Sequence, residues 1–117
     1  MLQRLLVFSG GLAGAAGVGL SAMAAHAGGG NLATVAPMLL MHAGPLLAIG
    51  LSGSAAMRRT AVAVLGGVLL FSGDLLARDF LGARIFPMAA PIGGSLMILG
   101  WLGVAVTGLL PRHSEGG

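Results

Sequence analysis

The chain alternates long apolar stretches with short polar breaks, and it does so four times. Apolar runs extend from Leu5 to Ala25, from Leu32 to Ala56, from Ala61 to Phe80 and from Ile92 to Leu110. Each is close to the ~20 residues that a helix needs to cross the hydrocarbon layer. The breaks are a Gly28-Gly29-Gly30-Asn31 loop, a Met57-Arg58-Arg59-Thr60 turn, and a longer connection from Leu81 to Pro91 that holds Arg84 and Pro87. The pattern predicts an all-α integral membrane bundle: four transmembrane helices over about 5–26, 33–56, 61–80 and 92–110, joined by short loops. It reads as a single domain over 1–117, with a flexible tail over 111–117.

Small residues recur along the predicted helices at helical spacing. Gly10, Gly14, Gly17 and Ser21 line the first, Gly66, Gly73 and Ala77 the third, and Gly93, Gly100, Gly103 and Thr107 the fourth. Such stripes let membrane helices approach closely. In the second, Gly50 and Ser54 form a similar pair, Pro37 suits a first turn, and Pro45 removes a backbone donor. A kink near Met41-His42 is expected, with the Met41 carbonyl left free. Trp101 lies mid-helix and is expected to be a packing residue. The first run has a rival reading as a signal peptide, because Arg4 precedes it and Ala22-Met23-Ala24 resembles a cleavage site. Its length and its small-residue stripe favour a retained helix.

Composition strengthens the membrane reading. Charged residues are 8% of the 117, hydrophobic residues 56%, and mean hydropathy is +0.99, whereas soluble domains carry about a quarter charged residues. The net charge of +3 comes from six Arg and no Lys. These sit at segment ends without a basic stripe, so nucleic acid is not an expected partner. Arg4, Arg58, Arg59 and Arg112 fall on one side of a four-span topology, and Arg78 and Arg84 on the other. The bias predicts both termini in the cytoplasm. Cysteine is absent, which removes disulfides, thiolate metal sites and cysteine nucleophiles. There is no P-loop, no Gly-x-Ser-x-Gly elbow and no convincing internal repeat, so an enzyme is not expected and an inverted-repeat transporter is not supported.

Four short motifs carry a family resemblance. They are Ser21-Ala22-Met23-Ala24-Ala25-His26-Ala27, His42-Ala43, Gly67-Val68-Leu69-Leu70-Phe71-Ser72-Gly73, and Ala90-Pro91-Ile92-Gly93-Gly94 continuing to Gly100-Trp101-Leu102. In order and spacing the chain resembles the small YgdD-like membrane proteins, the domain of unknown function 423 family, whose mitochondrial relative is transmembrane protein 256. The resemblance runs roughly from Gly17 to Leu109. It implies a retained first helix, about four membrane helices and the bacterial inner membrane; it implies no activity. After Phe71-Ser72-Gly73 the family usually continues with Ser and then Leu-Tyr, where this chain has Asp74-Leu75-Leu76, and the usual Thr before Pro91 is Ala90. No family role passes to Asp74.

Asp74 is the only carboxylate embedded in a long apolar run, Asp79 standing at the edge of the same run, and an ionisable group at membrane depth marks a functional candidate by default. Arg78, four residues on, shares its helix face, so an internal ion pair is the first expectation and a proton-responsive or ligand-binding carboxylate the second. His42 is expected to bond between helices, to the carbonyl freed by Pro45 or to Ser72. His26 reads as an interfacial residue, and His113 as part of the tail. His26, His42, Asp74, Arg78 and Asp79 are all expected in the outer half. His26 with His42 as a metal or haem site is a weaker expectation, as is copper on Met38, Met41, His42 and Met88. No cofactor is predicted. The function expected is an accessory or scaffold subunit that binds other membrane proteins or self-associates in the lipid bilayer. A small transporter using Asp74 and His42 is the alternative, and a metal or haem protein the second.

Overall fold

The computed structural model describes residues 1–27 and 30–111. Gly28, Gly29, the remainder of the predicted tail, Arg112 and His113 lie outside the described residues. Four helices follow one another: α1 (Leu2–Ala27), α2 (Leu32–Ser52), α3 (Ala55–Leu81) and α4 (Ala89–Thr107). All four are long and apolar enough to cross a membrane. No strand occurs among the described residues.

The boundaries depart from the sequence expectation in three places. The chain reverses at Gly53-Ser54, not over Met57 to Thr60. Ser54 is extended (φ −69°, ψ 167°), and its side chain accepts the Met57 N–H at 3.1 Å, which satisfies one of the free donors at a helix start. Arg58 and Arg59 therefore ride on the start of α3. Likewise α4 starts at Ala89, not Ile92, and ends at Thr107. Pro91 is its third residue, where a backbone N–H would have no intrahelical partner. Pro37 is the sixth residue of α2 rather than part of its first turn. The helix runs unbroken through Pro37 and Pro45, both exposed. At its far end α3 stops at Gly82, whose φ of 74° suits glycine as a left-handed cap.

The bundle consists of two helical hairpins. α1 packs along α2 and α4 along α3, while α2 meets α3 in the middle and α1 touches α3 more lightly. Val35, Leu39, Val64, Val68, Leu75 and Met97 form one core cluster; Leu6, Leu46, Ile49, Ala61 and Leu65 form a second, and Trp101 packs against both. Leu12, Leu69, Ile98, Leu99 and Leu102 are exposed, as lipid-facing residues of a membrane bundle must be.

Glycine sets how near the paired helices come. A Cβ on Gly10 would lie 2.9 Å from the Ala43 carbonyl oxygen, and one on Gly17 would lie 2.7 Å from Leu40 Cγ. In the second hairpin a Cβ on Gly67 would lie 2.6 Å from the Gly93 carbonyl oxygen. One on Gly100 would lie 2.8 Å from the Val64 nitrogen, and one on Gly103 3.0 Å from Thr60 Cγ2. Gly14, Gly66 and Gly73 make only ordinary contacts, at 3.5–3.7 Å from the nearest side-chain carbon, and Ser21 is half-buried. The α3 face that meets α4 most closely is the line Val64, Gly67, Phe71, and the expected stripe of Gly66, Gly73 and Ala77 lies one residue off that line.

Candidate functional site

Asp74 is fully buried, with 0% of its surface accessible. Its Oδ2 accepts from Arg78 Nη2 at 2.8 Å, the ion pair anticipated from the i, i+4 spacing. Its Oδ1 accepts the backbone N–H of Ile85, also at 2.8 Å. The second bond follows from the length mismatch of α3 and α4. Gly93 packs on Phe71, so Ala89, one turn earlier, stands near the level of Leu75. The chain leaving α3 at Leu81 must therefore come back along α3 before α4 can begin. Irregular backbone at that depth needs internal partners, and the carboxylate supplies one. Arg84 Nη1 donates to the Pro87 carbonyl at 2.8 Å and holds the same segment. Across the gap, Asn31 Nδ2 donates to Asp79 Oδ1 at 2.9 Å and ties the α1–α2 connection to the end of α3.

His42 is 7% exposed and bonds through both ring nitrogens. Nδ1 meets the Met38 carbonyl oxygen at 2.8 Å, and Trp101 Nε1 donates to Nε2 at 3.0 Å. Because a carbonyl only accepts and an indole N–H only donates, the proton sits on Nδ1, the ring is neutral, and the Nε2 lone pair is taken. The rings lie 5.7 Å apart between centroids and are tilted by 43°. The interhelical bond expected of His42 exists, but its partner is Trp101 rather than Ser72 or the Met41 carbonyl. One cue for it was in the sequence: a buried indole usually needs an acceptor, and the chain has one Trp.

The polar residues do not converge. His42 is the central residue of α2, ten from either end, and Trp101 follows Gly100, which packs on Val64. Asp74 lies ten residues beyond Val64, about 15 Å along the helix. His42 is thus at mid-bundle rather than in the half that holds Asp74, Arg78 and Asp79. His26 is exposed at the end of α1. Met41 and Met88 are exposed too, and no group of three or more His, Cys, Asp or Glu placed to hold a metal occurs among the described residues.

Ser72 is the polar residue left over. It is 4% exposed, and its hydroxyl has no hydrogen-bond partner. It lines a cavity of about 270 Å³ in the seam between α1 and α3, with Ser9, Leu12 and Ala16 on α1 and Leu69 and Leu76 on α3. Higher in the same seam a second, wider pocket of about 490 Å³ is lined by Met23, Ala27, Arg78, Asp79 and Phe80.

The family model "Protein of unknown function (DUF423)" matches residues 12–94, most of the bundle. The chain belongs to the DUF423 family. A "UPF0382 membrane protein" of Haemophilus influenzae is 44% identical over 39 residues, which are 33% of this chain and 32% of that protein. The match thus spans about a third of that relative's length. No solved structure matches. Membership agrees with the four apolar helices, and it carries no activity with it.

Proposed function

We propose that this DUF423 protein is a non-enzymatic integral membrane bundle that works by association in the bilayer, as an accessory or scaffold subunit of other membrane proteins or with copies of itself. The observation that carries the reading is how the embedded polar groups are used. Both oxygens of Asp74 and both ring nitrogens of His42 are engaged inside the bundle, which makes them parts of the scaffold rather than a relay. A transport path through Asp74 and His42 would need them on a shared polar cavity, and the cavity in the α1–α3 seam has only Ser9 and Ser72 as polar lining. Support for association comes from the outward face of α1. Gly11, Ala15 and Gly19 are exposed there at four-residue spacing, and a Cβ on Gly11 or Gly19 would meet nothing within 4 Å.

The reading includes the bacterial inner membrane, with both termini in the cytoplasm, supported by Arg4, Arg58 and Arg59 at one end of the bundle. Crosslinking in native membranes through a cysteine placed at Ala15 tests association. The expected product is one discrete band above the monomer, lost when Gly11 and Gly19 are changed to Leu. Monomer alone, in membranes and again after mild detergent extraction, would sink the idea.

A further inference from the structure

The α1–α3 seam has the profile of a lipid. Its lower part is an apolar slot of about 270 Å³, larger than the ~150 Å³ apolar cavity that stays dry and takes up benzene. Along α3 the slot runs from Leu65 to Leu76, about 16 Å at helical rise, so it suits a chain rather than a ring. A pure hydrocarbon would leave the Ser72 hydroxyl unsatisfied. In membrane helices such hydroxyls usually bond their own backbone, and here the oxygen has no partner at all.

Depth says what meets that hydroxyl. α4 has 19 residues, about 28 Å long, and matches a ~30 Å hydrocarbon layer. Its first turn stands near Leu75, so Ser72 lies about one helical turn inside the hydrocarbon boundary, within reach of the innermost ester group of a phospholipid seated at that boundary. Above it, the 490 Å³ pocket sets one cation and one anion side by side. Arg78 has 29% of its side chain exposed and has donors beyond the one given to Asp74. Asp79 is exposed and has given one oxygen to Asn31. A phosphate beside Arg78 with an ammonium beside Asp79 fits that pair of charges better than a purely anionic headgroup does.

We propose that the α1–α3 seam seats one zwitterionic phospholipid of the phosphatidylethanolamine type, with an acyl chain in the slot, an ester carbonyl accepting from Ser72, and the headgroup between Arg78 and Asp79. The seat is independent of whether the bundle associates with other proteins. Native mass spectrometry of the full chain, released from nanodiscs of mixed phosphatidylethanolamine and phosphatidylglycerol, tests it. The expected spectrum shows one bound phosphatidylethanolamine per chain, favoured at least fivefold over phosphatidylglycerol. Ala16→Leu, which fills the slot, lowers retention at least tenfold. Ser72→Ala lowers it severalfold while leaving the helical circular dichroism and thermal stability unchanged, an effect that a merely structural hydroxyl would not produce. Asp79→Asn abolishes the headgroup preference. Equal or reversed headgroup preference, a quinone in the organic extract in place of the phospholipid, a lipid-free second copy of the chain occupying the seam, or full retention in both Ala16→Leu and Ser72→Ala would each overturn the proposal.

Discussion

Two side chains show how a membrane interior treats polar groups, and they differ in what their loss should cost. Asp74 serves two donors, so removing it strands both the Arg78 guanidinium and the Ile85 amide. Taking away one member of a buried charged pair costs more than the pair ever contributes, because the other charge is left uncompensated. Asp74→Ala should therefore destabilise the bundle more than Asp74→Asn, whose amide oxygen can still accept from Ile85. Thermal unfolding in detergent ranks the two variants, and hydrogen exchange at the Ile85 amide separates them: fast in Asp74→Ala, slower in Asp74→Asn. Equal exchange in both would contradict the loop-holding role. His42 is a milder case. Trp101→Phe keeps an aromatic ring but removes the N–H together with part of the indole that packs against both core clusters, leaving Nε2 without its donor. The expected coupling between the two side chains is about 0.5–1.5 kcal/mol, nearer the lower figure because hydrogen bonds between membrane helices average ~0.6 kcal/mol, and the packing loss adds to the cost of the single variant. Detergent unfolding of Trp101→Phe beside His42→Ala and the double variant measures the coupling. The Asp74–Arg78 pair was legible from spacing alone. The Ile85 bond was not, since it depends on how far α3 outruns α4, which only the packed hairpin reveals.

At the scale of the helix, the question is which glycines a helix pair uses. Four apolar runs predicted four helices, because length and hydropathy dominate in a membrane. The register of each contact face was less legible, since neighbouring glycines offer competing stripes. In α3, Gly66 and Gly67 are adjacent, about 100° apart around the helix, and only Gly67 meets backbone. A methyl at Gly67 would press on the Gly93 carbonyl oxygen at 2.6 Å and the Met97 nitrogen at 2.7 Å, neither of which can move without parting the helices. One at Gly66 would sit 3.5 Å from the flexible end of Leu96. Gly67→Ala should cost about 1–3 kcal/mol, the usual range for overpacking, whereas Gly66→Ala should lie within ~0.5 kcal/mol of the parent, as substitutions away from close contacts do. Thermal melts of the two variants in one detergent decide the matter, and similar losses in both would mean that the α3–α4 contact runs elsewhere. The Gly53-Ser54 turn is hard to read from sequence for a related reason. The Arg58-Arg59 charges mark a boundary at their own position, yet a charged pair in the first turns of a membrane helix is tolerated while it remains near the interface.

For the whole molecule, an even number of helices puts the chain start, the Gly53-Ser54 reversal and the exit of α4 at one end, and the α1–α2 and α3–α4 connections at the other. The first end carries Arg4, Arg58 and Arg59 among the described residues; the second carries Arg78 and Arg84. Orientation follows the count of Lys and Arg near helix ends, with carboxylates contributing little, so Asp74 and Asp79 barely alter the comparison. Arg78, however, lies inside α3 and is bound to Asp74. It is part of the packed bundle rather than a free loop charge, which widens the effective bias toward the end with the termini. Single cysteines at Arg59 and Ala83, probed with a membrane-impermeant thiol reagent on intact cells, read the outcome directly. Labelling of Ala83→Cys with Arg59→Cys protected until lysis is the expected result, and the reverse pattern would place the termini outside. The bias is small enough to be moved by design. Changing Arg4, Arg58 and Arg59 to Gln while adding two Arg beside Ala83 should turn a substantial fraction of chains over, visible as labelling at both sites. Chains that held their original orientation after that exchange would show that something other than flanking charge sets the topology.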